Sequence, residues 1–207
     1  MRNAVGFYWT LPVPWAGFTT LPEDIDTAAK LSRTIRYQCE LIRRHAKDRN
    51  YRLVTEKVFL EIAPDRGSRH VLEALRPLEA ICRAEDAVLL HVDFSEVQGW
   101  REHGPLSDWA SHARIKVETV YPDEIQIDGG GFDPHRHFHD WRRRQNEWSA
   151  SKPERISRAR AAAVRLRDEG LTHKAIAQRL NDERIRSATG KPWTADSISK
   201  LLGAGPD

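Results

Sequence analysis

Cysteine is scarce in this chain: Cys39 and Cys82 are the two thiols in 207 residues. Both fall in apolar helical positions, so no disulfide framework is indicated. They read as core thiols of a protein kept in a reducing cytoplasm. Long apolar runs are missing too, none approaching the roughly 20 residues that span a bilayer. No membrane is therefore expected among the partners. The first residues lack the basic-then-apolar order of a signal peptide, and the segment 7–15 is too short and too proline-rich to serve as one. Nor does either sign of charge dominate, since 33 Lys and Arg stand against 30 Asp and Glu. With 40% hydrophobic and 30% charged residues, the composition is that of a soluble globular chain, long enough for one ordinary domain and a small one.

What is present is unevenly spread. Residues 1–131 hold 17 Lys and Arg against 20 Asp and Glu, whereas residues 132–203 hold 16 against 9. The basic charge thus gathers in the last third, as attraction to a phosphate backbone requires.

That last third carries a clear helical pattern. Ile156, Ala159, Ala163 and Leu166 recur at spacings of three and four with arginines between them, predicting one buried stripe under a basic face. Gly170 ends this helix by admitting a left-handed backbone. Thr172 is placed to cap a second helix, 173–180, with Ile176, Ala177 and Leu180 inward. Residues 181–193 read as a turn or small hairpin. Thr194 then caps a third helix, 195–202, burying Ile198, Leu201 and Leu202. Ala195, Asp196, Ser199 and Lys200 are left to face outward. Short polar residues near a capped helix start suit a major groove, so a helix-turn-helix is expected. A small helical bundle packed on the rest of the chain is the alternative.

The run from Gly170 to Leu202 resembles the DNA-binding segment that follows the catalytic domain of large serine recombinases. Gly170, Ile176-Ala177, Leu180-Asn181, Gly190, Trp193 and Ile198 stand where that pattern has its glycine, its Ile-Ala and Leu-Asn helix, its Gly-x-x-Trp turn and its last helix.

Residues 1–128 alternate strand and helix patterns. Strands are expected at 4–9, 51–59, 87–92 and 115–120. Helices are expected at 27–50, with Leu31, Ile35, Cys39, Ile42 and Ala46 on one face, at 68–84 and at 105–112. This argues for an open α/β layer with its ligand edge at the carboxyl ends of the strands. The layout also resembles the serine recombinase (resolvase/invertase) catalytic domain over about residues 4 to 127. The resemblance implies an α/β, resolvase-like open, mostly parallel sheet with helices on both faces, followed by a small all-helical helix-turn-helix domain. Tyr8 fits the tyrosine of the family's Tyr-x-Arg-x-Ser run. Thr10 replaces the arginine and Pro12 the nucleophilic serine. Asp65-Arg66-Gly67-Ser68-Arg69 keeps part of a later motif. In Val92-Asp93-Phe94-Ser95-Glu96-Val97 the aspartate stays, while Phe94 and Val97 hold the arginine positions. Strand exchange needs a serine hydroxyl to attack a phosphodiester and arginines to hold the pentavalent charge. Proline supplies no nucleophile, so no catalytic residue is assigned. Ser32, Ser68 and Ser95 are the displaced alternatives.

Other features have two readings each. Glu61, Asp65, Asp93 and Glu96 near strand ends suggest either a Mg²⁺ site or a solvated loop edge with local ion pairs, and the second is preferred because these four acids form no Asp-x-Asp pair and the first strand ends without an acid. His135, His137 and His139 alternate, which on an extended segment puts them on one side as zinc ligation requires, but they lack the usual cysteines or helical spacing, so a polar linker is expected. Gly129-Gly130-Gly131, followed by Asp133-Pro134, reads as a turn or hinge. Trp141 and Trp148 share one side of a connector helix that carries Arg142, Arg143 and Arg144. The long loop after Tyr8, with Trp15 and Phe18, either folds over the sheet edge or docks a protein partner.

The expected organisation is a catalytically degenerate domain at 1–128, a basic connector at 129–152 and a helix-turn-helix domain at 153–203. The expected function is sequence-specific binding of double-stranded DNA without cleavage, by a dimeric transcriptional regulator needing no cofactor or metal. Arg142, Arg143, Arg144, Lys174 and Arg179 are phosphate-contact candidates, as are Arg184, Arg186 and Lys191. Asp196, Ser197, Ser199 and Lys200 are base-edge candidates beside the cap Thr194, with Ser197 open to a capping role. An active recombinase or metal-dependent phosphotransferase, and a protein-interaction scaffold, remain as alternatives.

Overall fold

The computed structural model describes residues 1–62, 67–97 and 102–203. Among them the chain is α/β, with a four-stranded parallel sheet, a small separate hairpin and eight α-helices. It divides into two compact units. One holds residues 1–12 and 20–141, the other residues 13–19 and 142–207.

In the first unit, strands β1 (Arg2–Thr10), β2 (Tyr51–Leu60), β3 (Val88–Val92) and β4 (Lys116–Val120) lie in the order β2-β1-β3-β4. Each neighbouring pair is parallel. β1 and β3 are central and read as near-continuous apolar runs, as strands covered on both faces must. Their residues from Ala4 to Thr10 and from Val88 to Val92 are all buried. Between them run α1 (Ile25–Leu31), α2 (Arg33–Asp48), α3 (Val71–Ala84) and α4 (Gly104–His112). Alternating side chains on β1 show that both faces are covered. Thr10 accepts a hydrogen bond from Ser32 Oγ just before α2. Trp9, one residue away and therefore on the other face, packs edge-on against His103 at the start of α4, centroid to centroid 5.2 Å.

The single long helix expected over 27–50 is two helices, broken at Ser32. Its backbone is extended (φ −128°, ψ 113°), and its hydroxyl accepts from Ile35 N–H to start α2. The break turns Leu31 out to solvent, 59% exposed, while Ile35, Cys39, Ile42 and Ala46 stay buried. Burial pushes the Cys39 thiol up to about 12 and that of Cys82 to about 11. Both are free and buried, in keeping with core thiols.

Residues 125–132 form a hairpin, β5 (Ile125–Ile127) with β6 (Gly130–Phe132). Its two turn residues, Asp128 (φ 53°) and Gly129 (φ 72°), are both left-handed, the geometry of a tight primed turn. The glycine run is therefore a strand end and its turn rather than a hinge. The next helix, α5 (Pro134–Ala150), contains the boundary between the units, which falls after Trp141. The span expected as one connector, 129–152, is accordingly shared between them.

In the second unit, α6 (Lys152–Asp168), α7 (His173–Asp182) and α8 (Ala195–Gly203) enclose their own core. Ala159, Ala163, Leu166, Ile176, Ala177, Leu180, Trp193 and Ile198 are buried in it, with Leu171, Ile185, Leu201 and Leu202 packed alongside. The stripes read from the sequence are the ones that pack, except that Ile156 is only half-buried.

Candidate nucleic-acid interface

The helices of the second unit are fixed by local chemistry. Gly170 adopts φ +87° after α6, so an L side chain there is strained. Thr172 Oγ1 accepts from Ala175 N–H at 3.3 Å and starts α7. Thr194 and Ser197 cap α8 reciprocally. Thr194 N–H donates to Ser197 Oγ at 2.8 Å and Ser197 N–H to Thr194 Oγ1 at 3.2 Å.

Between α7 and α8 the chain has no strand, so the small hairpin allowed for 181–193 does not form. It is instead a braced turn. Asn181 Oδ1 accepts from Trp193 N–H at 2.7 Å, and Asn181 Nδ2 donates to Trp193 O at 3.0 Å. The Trp193 indole N–H donates to Ile185 O at 2.7 Å. Asn181 and Trp193 are thus the two pins of the turn. Arg155, which the sequence reading did not single out, adds a third brace. Its guanidinium lies 3.4 Å from the Trp148 ring centroid and donates to Trp148 O, Ser151 Oγ and Ala188 O. Burial lowers its pKa. The available signal was the spacing of Trp148 and Arg155, seven residues or two helical turns apart.

The basic candidates are scattered over this unit. Lys174 and Arg179 are exposed on α7. At about 100° per residue they emerge on opposite flanks of the buried stripe, so a duplex along one flank meets one of them. Arg184 is exposed with a left-handed backbone (φ 57°), Lys191 is exposed, and Arg186 is half-buried. Arg143 pairs with Glu147 at 3.0 Å, Arg144 is exposed and Arg142 half-buried.

On α8, Ala195, Asp196, Ser199 and Lys200 are exposed. Asp196 and Lys200 point most directly away from Ile198 and are ion-paired at 2.8 Å, which raises the pKa of the lysine. Ser197 and Thr194 are engaged in the cap, which removes Ser197 from the base-edge set.

The first unit shows what occupies the positions where the resemblance would put catalytic groups. Tyr8 is buried and donates to Glu56, itself bound by Arg43. Thr10 accepts from Ser32, and Pro12 O accepts from the Trp141 indole at 3.2 Å. Phe94 is buried against Trp9 (5.6 Å) and Phe138 (4.8 Å), and Val97 is buried beside it in sequence. Apolar packing thus surrounds Phe94 and Val97, while Thr10 is hydrogen-bonded to Ser32. Of the displaced serines, Ser32 is spent on Thr10 and the α2 cap, Ser95 is half-buried, and the buried Ser68 hydroxyl has no hydrogen-bond partner among the described residues.

The acids at the strand ends are also accounted for locally. Glu61 is fully buried, accepting from Ile62 N–H, Ser68 N–H and His103 Nε2–H. Asp93 caps the short turn at 94–96, and Glu96 is exposed. Asp65 and Arg66 lie outside the described residues. Among the described residues no group of three or more metal-binding side chains converges. The segment 135–139 is helical, not extended, so its histidines diverge. His137 is packed inward, 3.0 Å from Thr34 Oγ1, while His135 and His139 are exposed. Trp15 and Phe18 are half-buried in the second unit, in a loop closed by the Val13–Phe18 bridge.

Comparison with known proteins is informative for the helical unit alone. A family model described as Recombinase matches residues 153–204, about a quarter of the chain, covering α7, α8 and all of α6 but its first residue. No curated protein and no solved structure matches.

Proposed function

We propose that this chain is a sequence-specific DNA-binding protein, a transcriptional regulator built on a resolvase-like domain that no longer performs recombination. The observation that carries this reading is the match of residues 153–204 to the Recombinase family. It coincides with the basic helical unit whose α8 turns a capped, polar, solvent-facing side outward. In the proposed complex α8 enters the major groove, with Asp196, Ser199 and Lys200 at base edges. Lysine suits guanine O6 and N7, and a carboxylate suits the cytosine amino group. Arg142, Arg144, Lys174 or Arg179, Arg184, Arg186 and Lys191 meet phosphates. The protein binds as a homodimer on a two-fold site, the arrangement such readers use. The first domain serves dimerisation or partner contact, because Pro12, Thr10, Phe94 and Val97 supply neither the nucleophile nor the guanidinium groups of strand exchange.

The test is selection of fragmented genomic DNA by the purified full-length chain, followed by comparison of two variants on selected and random duplexes. Replacing Arg142, Arg143 and Arg144 by alanine is expected to weaken binding to both duplexes alike and to flatten the salt dependence. Lys200→Ala is expected to reduce the preference for the selected site. A recovered two-fold motif supports the dimer. Equal effects of both variants on both duplexes would remove α8 as the reading element, and no enrichment would turn the search to protein partners.

A further inference from the structure

The loop from Val13 to Thr19 belongs to the same compact unit as the helices that match the Recombinase family, although it lies far from them in sequence. It is a closed, preformed loop. Val13 N–H donates to Phe18 O at 2.8 Å and Phe18 N–H returns to Val13 O at 3.1 Å. A single 3-10 turn, 14–16, spans the gap, and Gly17 ends it with a left-handed backbone.

Two glycines mark where this loop meets the turn between α7 and α8. At Gly190 a Cβ would lie 2.6 Å from the Pro14 backbone, a distance that no real Cβ sustains. At Gly17 it would lie 2.7 Å from Arg186 Nη2 and 2.8 Å from its Cζ. The guanidinium of Arg186 is therefore laid against the bare peptide of Gly17. On either side of it the turn is fixed, by Trp193 on Ile185 O and by Arg155 on Ala188 O.

Arg186 is held but not used. Its planar group offers five N–H donors, yet among the described residues it makes no hydrogen bond and no ion pair. Arg186 is half-buried and its guanidinium lies against Gly17, which leaves its donors available to an external anion. Less side-chain freedom is then lost when the anion binds.

We infer that the Val13–Thr19 loop is part of the DNA-binding surface, with Gly17 as a positioning residue that holds Arg186 ready for a backbone phosphate. This rests on the DNA-binding reading given above. It adds to it a component from outside the matched segment and singles out Arg186 among the basic candidates as the one packed against that component. Alanine at Gly17 displaces the guanidinium sterically and also strains the left-handed backbone, whereas alanine at Arg186 removes the ligand itself.

The experiment is a double-variant cycle in the full-length chain, measuring affinity for a fluorescently labelled random-sequence duplex across a salt series, with thermal midpoints recorded in parallel. Gly17→Ala and Arg186→Ala are each expected to lower the slope of log affinity against log salt by about 1. The double variant should bind no more weakly than Arg186→Ala alone. Arg186→Lys, which keeps the charge without the planar group, should hold the full slope and be indifferent to Gly17→Ala, and it serves as the reference if the glycine variant folds poorly. A Gly17→Ala protein with a lower midpoint and an unchanged slope would overturn the inference, because the loop would then be a brace only. So would additive losses in the double variant. If the unaltered chain shows no salt-dependent binding to any duplex, the DNA-binding reading fails and this inference falls with it. Wild-type binding with Gly17→Ala indifferent defeats the inference alone.

Discussion

His137 shows how a side chain read as a metal-ligand candidate becomes a structural one. Burial, reinforced by the nearby Arg33 charge, pushes its pKa down to about 4, and its Nε2 lies 3.0 Å from Thr34 Oγ1. A histidine held neutral in the fold binds its proton more readily once unfolded. Stability is therefore complete above the ordinary histidine value of about 6.5 and falls as the pH drops from there toward 4. Buried His91 is shifted in the same direction. For His137 alone the full loss is on the order of 3 kcal/mol. Denaturant titrations between pH 7 and pH 4 should show that decline, and His137→Gln should flatten part of it. An unchanged profile in the variant would mean that His137 is not the group that titrates.

Among the elements, the turn between α7 and α8 has the most specific requirements. Asn181 satisfies both backbone polar groups of Trp193, and Asn181→Ala leaves them without that partner. The expected cost is about 1–3 kcal/mol, read as a lower unfolding midpoint with little change in helix content. The asparagine of the Leu-Asn piece and the tryptophan of the Gly-x-x-Trp piece are thus tied together by mutual hydrogen bonds, while Leu180 lies in the core. The α1–α2 break is the converse case. Helical periodicity runs through Ser32, so the sequence gives one helix. The tertiary partner Thr10 on β1 fixes the serine hydroxyl at the point where the chain turns extended.

For the molecule as a whole, two units with opposite charge balance favour a division of labour in which the acidic first unit does not itself grip DNA. On the proposed reading, in which Pro12 stands at the nucleophile position, the protein should leave supercoiled DNA uncut in the presence of Mg²⁺ and form no covalent adduct. A nick or a trapped complex, abolished by Ser68→Ala, would restore an enzymatic role through a displaced serine whose buried hydroxyl has no hydrogen-bond partner among the described residues.

The sequence by itself determined the parts that depend on local periodicity and capping. Unlike the α1–α2 break and the β5–β6 hairpin, the three helices of the second unit, their buried stripes, the caps at Thr172 and Thr194 and the four strands of the first unit's parallel sheet follow from spacings of two, three and four residues. Each is a property of neighbours along the chain. Contacts between distant segments were decided by the tertiary structure. Phe94 and Phe138 share a core, His103 meets Glu61, and the loop at Val13–Thr19 joins a unit that begins more than a hundred residues later. Those contacts depend on which side chain fills which space, and periodicity carries no such information. The fate of Arg186 illustrates the difference: its charge was legible in the sequence, but its support by Gly17 required the fold.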